Sequence, residues 1–569
     1  MTDLAGGAPT SRDPAADGPS ASASAPAARR RRAGGRFPGW AVLGIVIALV
    51  VVGPLVALPA SFVGEGEAFG EISRTLLPRA LVTSVLLGAG VGAGTLVVGG
   101  GLAVLVSFYD FPGRRWLDWA LVLPMAMPAY VLVFVVLGQY GLASPLQTSL
   151  FGNGLQIPGL RTPVGAIVVL TSVLYPYVYV LGRSAFLGQS RQALDAARTL
   201  GCTYGQAIRR VAVPLARPAL AGGAALAVME ALADFGTVDL LGIQALTSAI
   251  YRVWYGTFDQ DAALQLATVL VSLALLMVTV ERLVRGRARY HQALGAGDAV
   301  VPRPMRGPAR WLAPLPGALL LAVVFVVPCA QLVAWSIETV ADGTLDADLG
   351  RAARNTLLLG LAAATVAVIT ATVVAYGQRA RPSPGGRLAA RLATVGYAVP
   401  GTVVAVAVYV PLVWVDRRLA DSFDGQLIFT GTALGLIIAY LVRFHALAYF
   451  AVEARMSRIS PNLDDAARSL GADRTRVLAD VHIPLLRPGM LAAALLVLVE
   501  VMKELPATAL LRPLGGDTLA VTVWEATKDT RFDTAALPAL LIVAVGLLPV
   551  IVLVRLLRRG DWESAAAQV

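Results

Sequence analysis

Asp195-Ala196-Ala197-Arg198-Thr199-Leu200-Gly201, leading on to Val213-Pro214-Leu215-Ala216-Arg217-Pro218, decides how the rest of the chain reads. The same wording returns as Asp465-Ala466-Ala467-Arg468-Ser469-Leu470-Gly471, leading on to Ile483-Pro484-Leu485-Leu486-Arg487-Pro488. The interval is 465 − 195 = 270, and it holds without a gap to the last proline, 488 − 218 = 270. Each copy is a polar island between apolar segments long enough to cross a bilayer. Ala193, Ala196, Ala197 and Leu200 recur at helical spacing, as do Leu463, Ala466, Ala467 and Leu470, so a small apolar stripe is expected on each island helix. Gly201 and Gly471 are expected to permit the sharp reversal that ends it. One copy alone reads equally as an amphipathic helix lying on the bilayer surface. Two copies in fixed register favour a pair of docking helices, because a groove in a partner is the usual receptacle for such a stripe.

These residues resemble the EAA loop of the membrane subunits of binding-protein-dependent ABC importers. That pattern is Glu-Ala-Ala, three residues, Gly, nine residues, then Ile-x-Leu-Pro. Asp195 and Asp465 stand where the family has Glu, and the final part is looser, reading Val211-Ala212-Val213-Pro214 and Val481-His482-Ile483-Pro484. The resemblance implies a fused permease of the type I importer fold, equivalent to two subunits. Its coupling residues would be Asp195, Ala196, Ala197 and Gly201, with Asp465, Ala466, Ala467 and Gly471. It further implies two copies of a cytoplasmic ABC ATPase subunit, which would bind the ATP and Mg, and an external substrate-binding protein. No cofactor is expected in this chain.

Composition agrees with a membrane protein. Of 569 residues 57% are hydrophobic and 15% charged, against about 25% charged in soluble domains. The net charge of +11 does not point to nucleic acid, because its arginines sit in short connections between apolar segments with no basic aromatic face. Cys202 and Cys329 cannot build a disulfide framework, and His291, His445 and His482 show no metal-ligand spacing. Neither a phosphate-binding Gly-x-x-x-x-Gly-Lys-Ser/Thr loop nor a Gly-x-Ser-x-Gly elbow occurs. A non-catalytic subunit with no metal site is the expectation.

Residues 1–36 are rich in Ala, Ser, Pro and Gly and contain Arg29–Arg32, so a disordered cytoplasmic tail is expected. The first apolar stretch, 40–62, exceeds a signal-peptide core of ~7–15 residues and reads as an uncleaved span. Further spans are expected near 80–108, 117–140, 163–187, 218–240 and 262–284. A second set is expected near 311–336, 353–377, 390–415, 427–452, 488–511 and 536–557. The organisation is thus a first repeat over 37–284, a cytoplasmic linker over 285–310, a second repeat over 311–558 and a tail over 559–569. The fold class is all-α, about twelve transmembrane helices in two parallel six-helix repeats. The positive-inside bias puts both termini and both EAA loops in the cytoplasm, with 63–78, 141–162, 240–261, 338–352, 416–427 and 512–535 outside. The repeat also extends upstream, since Leu86-Leu87-Gly88 matches Leu358-Leu359-Gly360 and Pro128 matches Pro400, at 400 − 128 = 272. Parallel repeats of this kind place the substrate path between them.

The fifth span of each repeat carries an acidic pair at helical spacing, Glu230 and Asp234 in one, Glu500 and Glu504 in the other. Ionisable groups within a span are costly in lipid and mark an interior or a water-filled path. Two readings stand: the pairs line the path or gate, or they form a salt-bridged lock between the repeats with Lys503. Gly236 and Pro506, again 270 apart, are positions where the helix is expected to break or end.

The wording narrows the resemblance to ferric-iron importer permeases. It is carried by Glu230-Ala231-Leu232-Ala233-Asp234-Phe235-Gly236-Thr237-Val238, by 502–513 with Asp517-Thr518-Leu519-Ala520, by 123–130 and by 175–179. Thiamine, polyamine, sulfate and phosphonate permeases share the architecture and stand as alternatives. A secondary transporter of the major facilitator type also has two parallel six-span halves, but the duplicated EAA loop speaks against it. A membrane-embedded enzyme lacks a convergent catalytic group.

Overall fold

The computed structural model describes residues 39–63, 67–140, 160–285, 301–343, 346–380, 382–423 and 425–566. The expected N-terminal tail, most of the 141–162 connection and the first part of the linker lie outside these residues. Among the described residues ten helices are long and apolar enough to cross a membrane, or twelve if two bent pairs are each one span. Many of their outward-facing Leu and Val side chains are exposed, for example Val82, Leu86, Val97, Val164 and Val168. That is the pattern of a surface solvated by lipid.

In the first repeat the helices are α1 (Gly39–Ala60), α2 (Leu77–Phe108), α3 (Arg114–Ala120), α4 (Ala129–Tyr140), α5 (Pro163–Leu187), α6 (Arg191–Thr199), α7 (Val213–Ala233), α8 (Gly236–Leu240), α9 (Leu246–Gly256) and α10 (Gln260–Arg285). The second repeat follows with α11 (Val327–Ala341), α12 (Leu349–Ala380), α13 (Pro384–Leu392), α14 (Gly401–Leu419), α15 (Ala433–Met456), α16 (Pro461–Ser469), α17 (Ile483–Met502), α18 (Pro506–Leu511), α19 (Leu519–Lys528) and α20 (Phe532–Ala566). Helices α2 to α8 recur as α12 to α18 at the intervals of 272 and then 270 read from the sequence.

Three expectations about the spans are corrected. The stretches 117–140 and 390–415 are not continuous helices. Met127 and Val399 are extended because each precedes a proline, and the chain turns by 89° and 120° there before α4 and α14 begin. The stretches 218–240 and 488–511 likewise break, after Ala233 and Met502, and resume as the short helices α8 and α18. Gly236 and Pro506 open those short helices, so the expected interruption lies where the sequence placed it. Finally, 240–261 and 512–535 are not free outer loops. They carry α9 and α19, whose Leu246, Ile250, Leu519 and Trp524 are buried in the protein.

The repeats are not two separate bundles. Helix α1 packs on α12, α13 and α14 of the second repeat, and α10 packs on α14. Reciprocally, α11 and α20 pack on each other and reach α4 of the first repeat. One large core accordingly mixes Val51, Leu58 and residues of α9 and α10 with α12, α14, α15 and α17. Another mixes α4, α5 and α7 with α19 and α20. The described part of the linker is tied down too: Arg303–Pro304 pairs as a two-residue parallel strand with Tyr109–Asp110 at the end of α2. Helix α20 extends to Ala566, so the expected tail over 559–569 is helical to that residue.

Candidate functional site

Helices α6 and α16 are the two island helices. Ser190 and Ser460 cap their N-termini, each side chain accepting from the backbone N–H two residues on, which is worth about 1 kcal/mol. At the other end Gly201 and Gly471 adopt left-handed φ values of +94° and +84°. Their N–H groups donate to Arg198 O and Arg468 O, and those of Cys202 and Ala472 to Ala197 O and Ala467 O. This paired closure satisfies the terminal carbonyls and requires a residue without Cβ strain. Asp195 and Asp465 lie on the outer surface, Asp195 paired with Arg191 at 3.3 Å and Arg198 at 3.4 Å, Asp465 with Arg468 at 3.5 Å.

The apolar stripe is divided, not presented whole. Ala197 turns inward beside buried Leu194, and Ala467 is half-buried, whereas Ala196 and Ala466 are exposed. The stripe is about 100° wide, and the protein surface cuts through its middle. Outward in both loops are an Ala and the Leu four residues later, with Leu200 86% exposed and Leu470 89%; the second loop also exposes Leu463.

The second loop contains a buried polar set that sequence reasoning passed over. Asp464, one residue before the expected Asp465, accepts from Arg379 Nε at 2.9 Å and from His482 Nε2 at 2.8 Å. Burial pushes the Asp464 carboxyl up, but the Arg379 hydrogen bond, the nearby His482 and the Arg379 charge outweigh it and hold it below its usual value.

In the middle of the protein a cavity of about 130 Å³ lies between the repeats, lined by Glu230, Asp234, Glu500, Lys503, Glu504 and Arg443 among others. All four expected acids, together with Gly236 and Pro506, are therefore brought to one place, but their surroundings differ. Asp234 Oδ1 accepts from Thr237 N at 2.8 Å and so caps α8. Glu504 accepts from Ala507 N at 2.8 Å, Thr508 N at 2.9 Å and Thr508 Oγ1 at 2.6 Å, capping α18. Arg443 Nη1 donates to the same carboxylate at 2.7 Å, and the Glu504 side chain is 1% exposed. Glu500 pairs with Lys503 at 2.8 Å. Glu230 makes no hydrogen bond or ion pair among the described residues.

The lock reading is corrected in its details. Both ion pairs of the cavity lie within the second repeat, so neither joins the repeats. The repeats are joined instead by hydrogen bonds: in the cavity wall Tyr130 donates to Lys503 O at 3.5 Å, and outside it Asp239 accepts from Trp524 Nε1 at 3.0 Å and lies 3.6 Å from Lys528 Nζ, Tyr255 donates to Ala509 O at 3.0 Å and Gln139 to Gln331 at 3.1 Å. The two helix breaks also face each other, since a Cβ on Gly236 would fall 2.7 Å from Leu505 Cδ2 and 2.7 Å from Tyr130 Cβ. Arg443 was missed because its first-repeat counterpart is Val173 (443 − 270), so the repeat does not flag it. An arginine inside Leu441-Val442-Arg443-Phe444 was nonetheless a legible signal.

Comparison with known proteins matches the geometry to a family. The model of the binding-protein-dependent transport system inner membrane component fits twice, over residues 95–289 and 363–560. The Fe(3+)-transport system permease protein FbpB 2 of Haemophilus influenzae is 25% identical over 91% of this chain and 98% of its own length. The ferric transport system permease protein FbpB of Actinobacillus pleuropneumoniae is 22% identical over 93% of this chain and 78% of its own. A sulfate transport system permease protein of Salmonella typhimurium is 30% identical, but over 31% of this chain. With each family match holding one island helix, one pair of span-borne acids and one broken fifth span, the chain is a multi-pass membrane protein that belongs to the binding-protein-dependent transport system inner membrane components, two of whose domains are fused in it.

Proposed function

We propose that the chain is the non-catalytic permease of an ATP-driven importer that carries ferric iron delivered by an external binding protein. The observation that carries this reading is the pair of exposed Ala-Leu tips, Ala196 with Leu200 and Ala466 with Leu470, held at 270-residue spacing by left-handed glycines. Two copies of a cytoplasmic ATPase subunit dock there, one per tip, and bind the ATP and Mg. Both termini lie on that side. Closure of the ATPase pair draws the tips together and opens the bundle outward to the loaded binding protein. Hydrolysis returns it to the inward-open form.

The cavity supports a cation as cargo. Four carboxylates line it against two basic groups, and both basic groups are already paired with carboxylates. An oxyanion would meet net negative charge there, whereas Fe³⁺ is a hard cation suited to carboxylate and phenolate oxygens. Relatives named for ferric transport span nearly the whole chain, as does one named only as a probable ABC transporter permease, whereas the one named for sulfate matches a part of it.

The test is uptake of radiolabelled iron by proteoliposomes holding the chain and its ATPase, with the loaded binding protein outside. Uptake is expected to require both ATP and the binding protein. Uptake driven by a proton or sodium gradient without the ATPase would overturn the importer reading, and ATP-driven uptake of sulfate in place of iron would overturn the cargo.

A further inference from the structure

The two docking loops are built on different foundations. Under α16, Asp464 receives two bonds from Arg379, Nε at 2.9 Å and Nη2 at 3.3 Å, and one from His482 at 2.8 Å. Arg379 spends its remaining donors on Met456 O and Ile459 O at 2.9 Å each and Ser460 O at 3.1 Å, the carbonyls where α15 runs into α16. His482 is fully buried and sits in the π-helical turn that opens α17. Its ring meets Tyr376 edge to face at 5.2 Å, and Tyr376 meets Trp40 of α1 at 5.3 Å. Tyr376 also donates to Arg474 O at 2.6 Å, on the far side of the loop. One carboxylate thus ties the docking helix to the ends of α12 and α15, to the start of α17 and, through two rings, to α1.

At the matching positions the first repeat has Ser107, Leu194 and Ala212 (379 − 272, 464 − 270, 482 − 270). All three are buried, and Ser107 Oγ has no partner. Leu194 packs in an apolar cluster, and among the described residues no α6 side chain is hydrogen-bonded to a span. The polar ties nearby hold neighbouring segments and not α6 itself: Gln189 donates to Ala212 O at 2.9 Å, Tyr204 to Phe108 O at 3.0 Å, and Arg183 at the end of α5 to Asp118 at 2.7 Å. Apolar contacts resist separation but tolerate sliding and rotation, whereas a forked Arg–carboxylate pair fixes direction as well as distance.

We infer that Arg379, Asp464 and His482 are positioning residues that clamp the second docking helix to four spans, making it a stiff lever, while the first docking helix rides on a compliant apolar seat. The two ATPase sites then transmit motion unequally, although the loops themselves are nearly identical in sequence. This rests on the reading of α6 and α16 as ATPase-docking helices.

The experiment exchanges the foundation and leaves the loop surface alone. In a Cys202→Ser, Cys329→Ser background, spin labels are placed at Thr199→Cys or Ser469→Cys, matched exposed positions at the ends of α6 and α16. With the second foundation intact, the label at 469 is expected to be the less mobile. Asp464→Leu, Arg379→Ser and His482→Ala together install the first repeat's residues. This triple variant should raise the mobility at 469 to that at 199 and leave 199 unchanged. In liposomes, iron taken up per ATP hydrolysed should fall about 5-fold or more, the lower range for coupled sites, while the ATPase stays bound and hydrolysing. Equal mobility at the two sites with the clamp intact, or a triple variant with unaltered mobility and unaltered uptake per ATP, would overturn the proposal. Should the triple variant fail to insert, Asp464→Asn, which keeps the shape and removes the charge, is judged by the same two measurements. If the wild-type chain neither imports iron nor stimulates the ATPase, the transport reading fails, and the mobility pair still decides the clamp.

Discussion

Arg443→Met removes the cation that accompanies the most deeply buried carboxylate of the cavity. Glu504 keeps three neutral donors, Ala507 N, Thr508 N and Thr508 Oγ1, but loses its countercharge at 2.7 Å. A hydrogen bond to a charged group contributes about 1.5–3 kcal/mol, and stranding a buried charge brings the total loss to about 3–5 kcal/mol. Adding Glu504→Gln in the same chain removes the stranded charge. The amide then turns two hydrogens toward one of the backbone donors, so about 1 kcal/mol of the loss should remain. The double-mutant cycle is therefore expected to show a coupling of about 2–4 kcal/mol. Gly401→Ala supplies an independent check, because a Cβ there would overlap the Arg443 guanidinium and lie 2.9 Å from Glu504 Oε1. It should destabilise in the same direction by less, since the arginine stem can swing aside. The assay is denaturant unfolding in mixed micelles followed by tryptophan fluorescence. An Arg443→Met protein within about 0.5 kcal/mol of wild type, the range of an inconsequential substitution, would refute the pairing.

Gly201→Val or Gly471→Val forces a β-branched residue into a left-handed conformation, at a cost of at least about 1–2 kcal/mol. Iron uptake should fall in either variant while membrane insertion, read by fractionation, is unchanged. Cys202, after Cys329→Ser, should react with a membrane-impermeant maleimide in inside-out vesicles and not in intact cells; labelling of intact cells would reverse the assigned orientation. Glu230→Gln removes the one cavity acid without a partner, so uptake should slow with stability and ATP hydrolysis per binding-protein encounter preserved. Glu500→Gln frees Lys503 and should lower stability as well, and the contrast between the two is read from uptake and unfolding on the same preparations.

The duplicated loop was legible because its physics is local: a helical stripe and a glycine suffice to specify a short helix and its reversal, while the capping serines, Ser190 and Ser460, were seen only in the structure. The breaks at Gly236 and Pro506 were legible for the same reason. Those at Pro128 and Pro400 were lost in a hydropathy reading because both flanks are apolar, though the prolines themselves were the signal. The charge bias that assigns 240–261 and 512–535 to the outside says nothing of helices α9 and α19 within them, where Arg252, Glu525 and Lys528 dilute the apolar character. Their inward faces, including Leu246, Ile250 and Trp524, are nevertheless buried. Repeat matching had its own blind spot. It draws attention to residues present twice and hides Arg443, Asp464, Arg379 and His482, whose counterparts are Val173, Leu194, Ser107 and Ala212. Which acids cap a helix and which face open space is a matter of side-chain direction that spacing alone cannot carry.

The cross-packing of the outer spans sets a schedule for biosynthesis. Helix α1 is made long before its second-repeat partners: α12, on which it packs, begins 349 − 39 = 310 residues later. At about 5–20 residues per second that is a delay of about 15–60 s, during which α1 stands in the bilayer without its second-repeat partners, covered only in part once α10 arrives and Thr268 donates to Leu58 O. Mean hydropathy of 2.7 over Val42–Ala60 makes that interval tolerable. A polar residue added to the inward face of α1 would therefore act before the protein is finished, by letting the first helix escape the membrane, and its effect would register as lost yield and not as a slower transporter. The same dependence means that the first half made alone, ending in the linker, holds α1 and α10 without their second-repeat partners α12, α13 and α14, and quality-control proteolysis should remove it unless the second half is supplied in the same membrane.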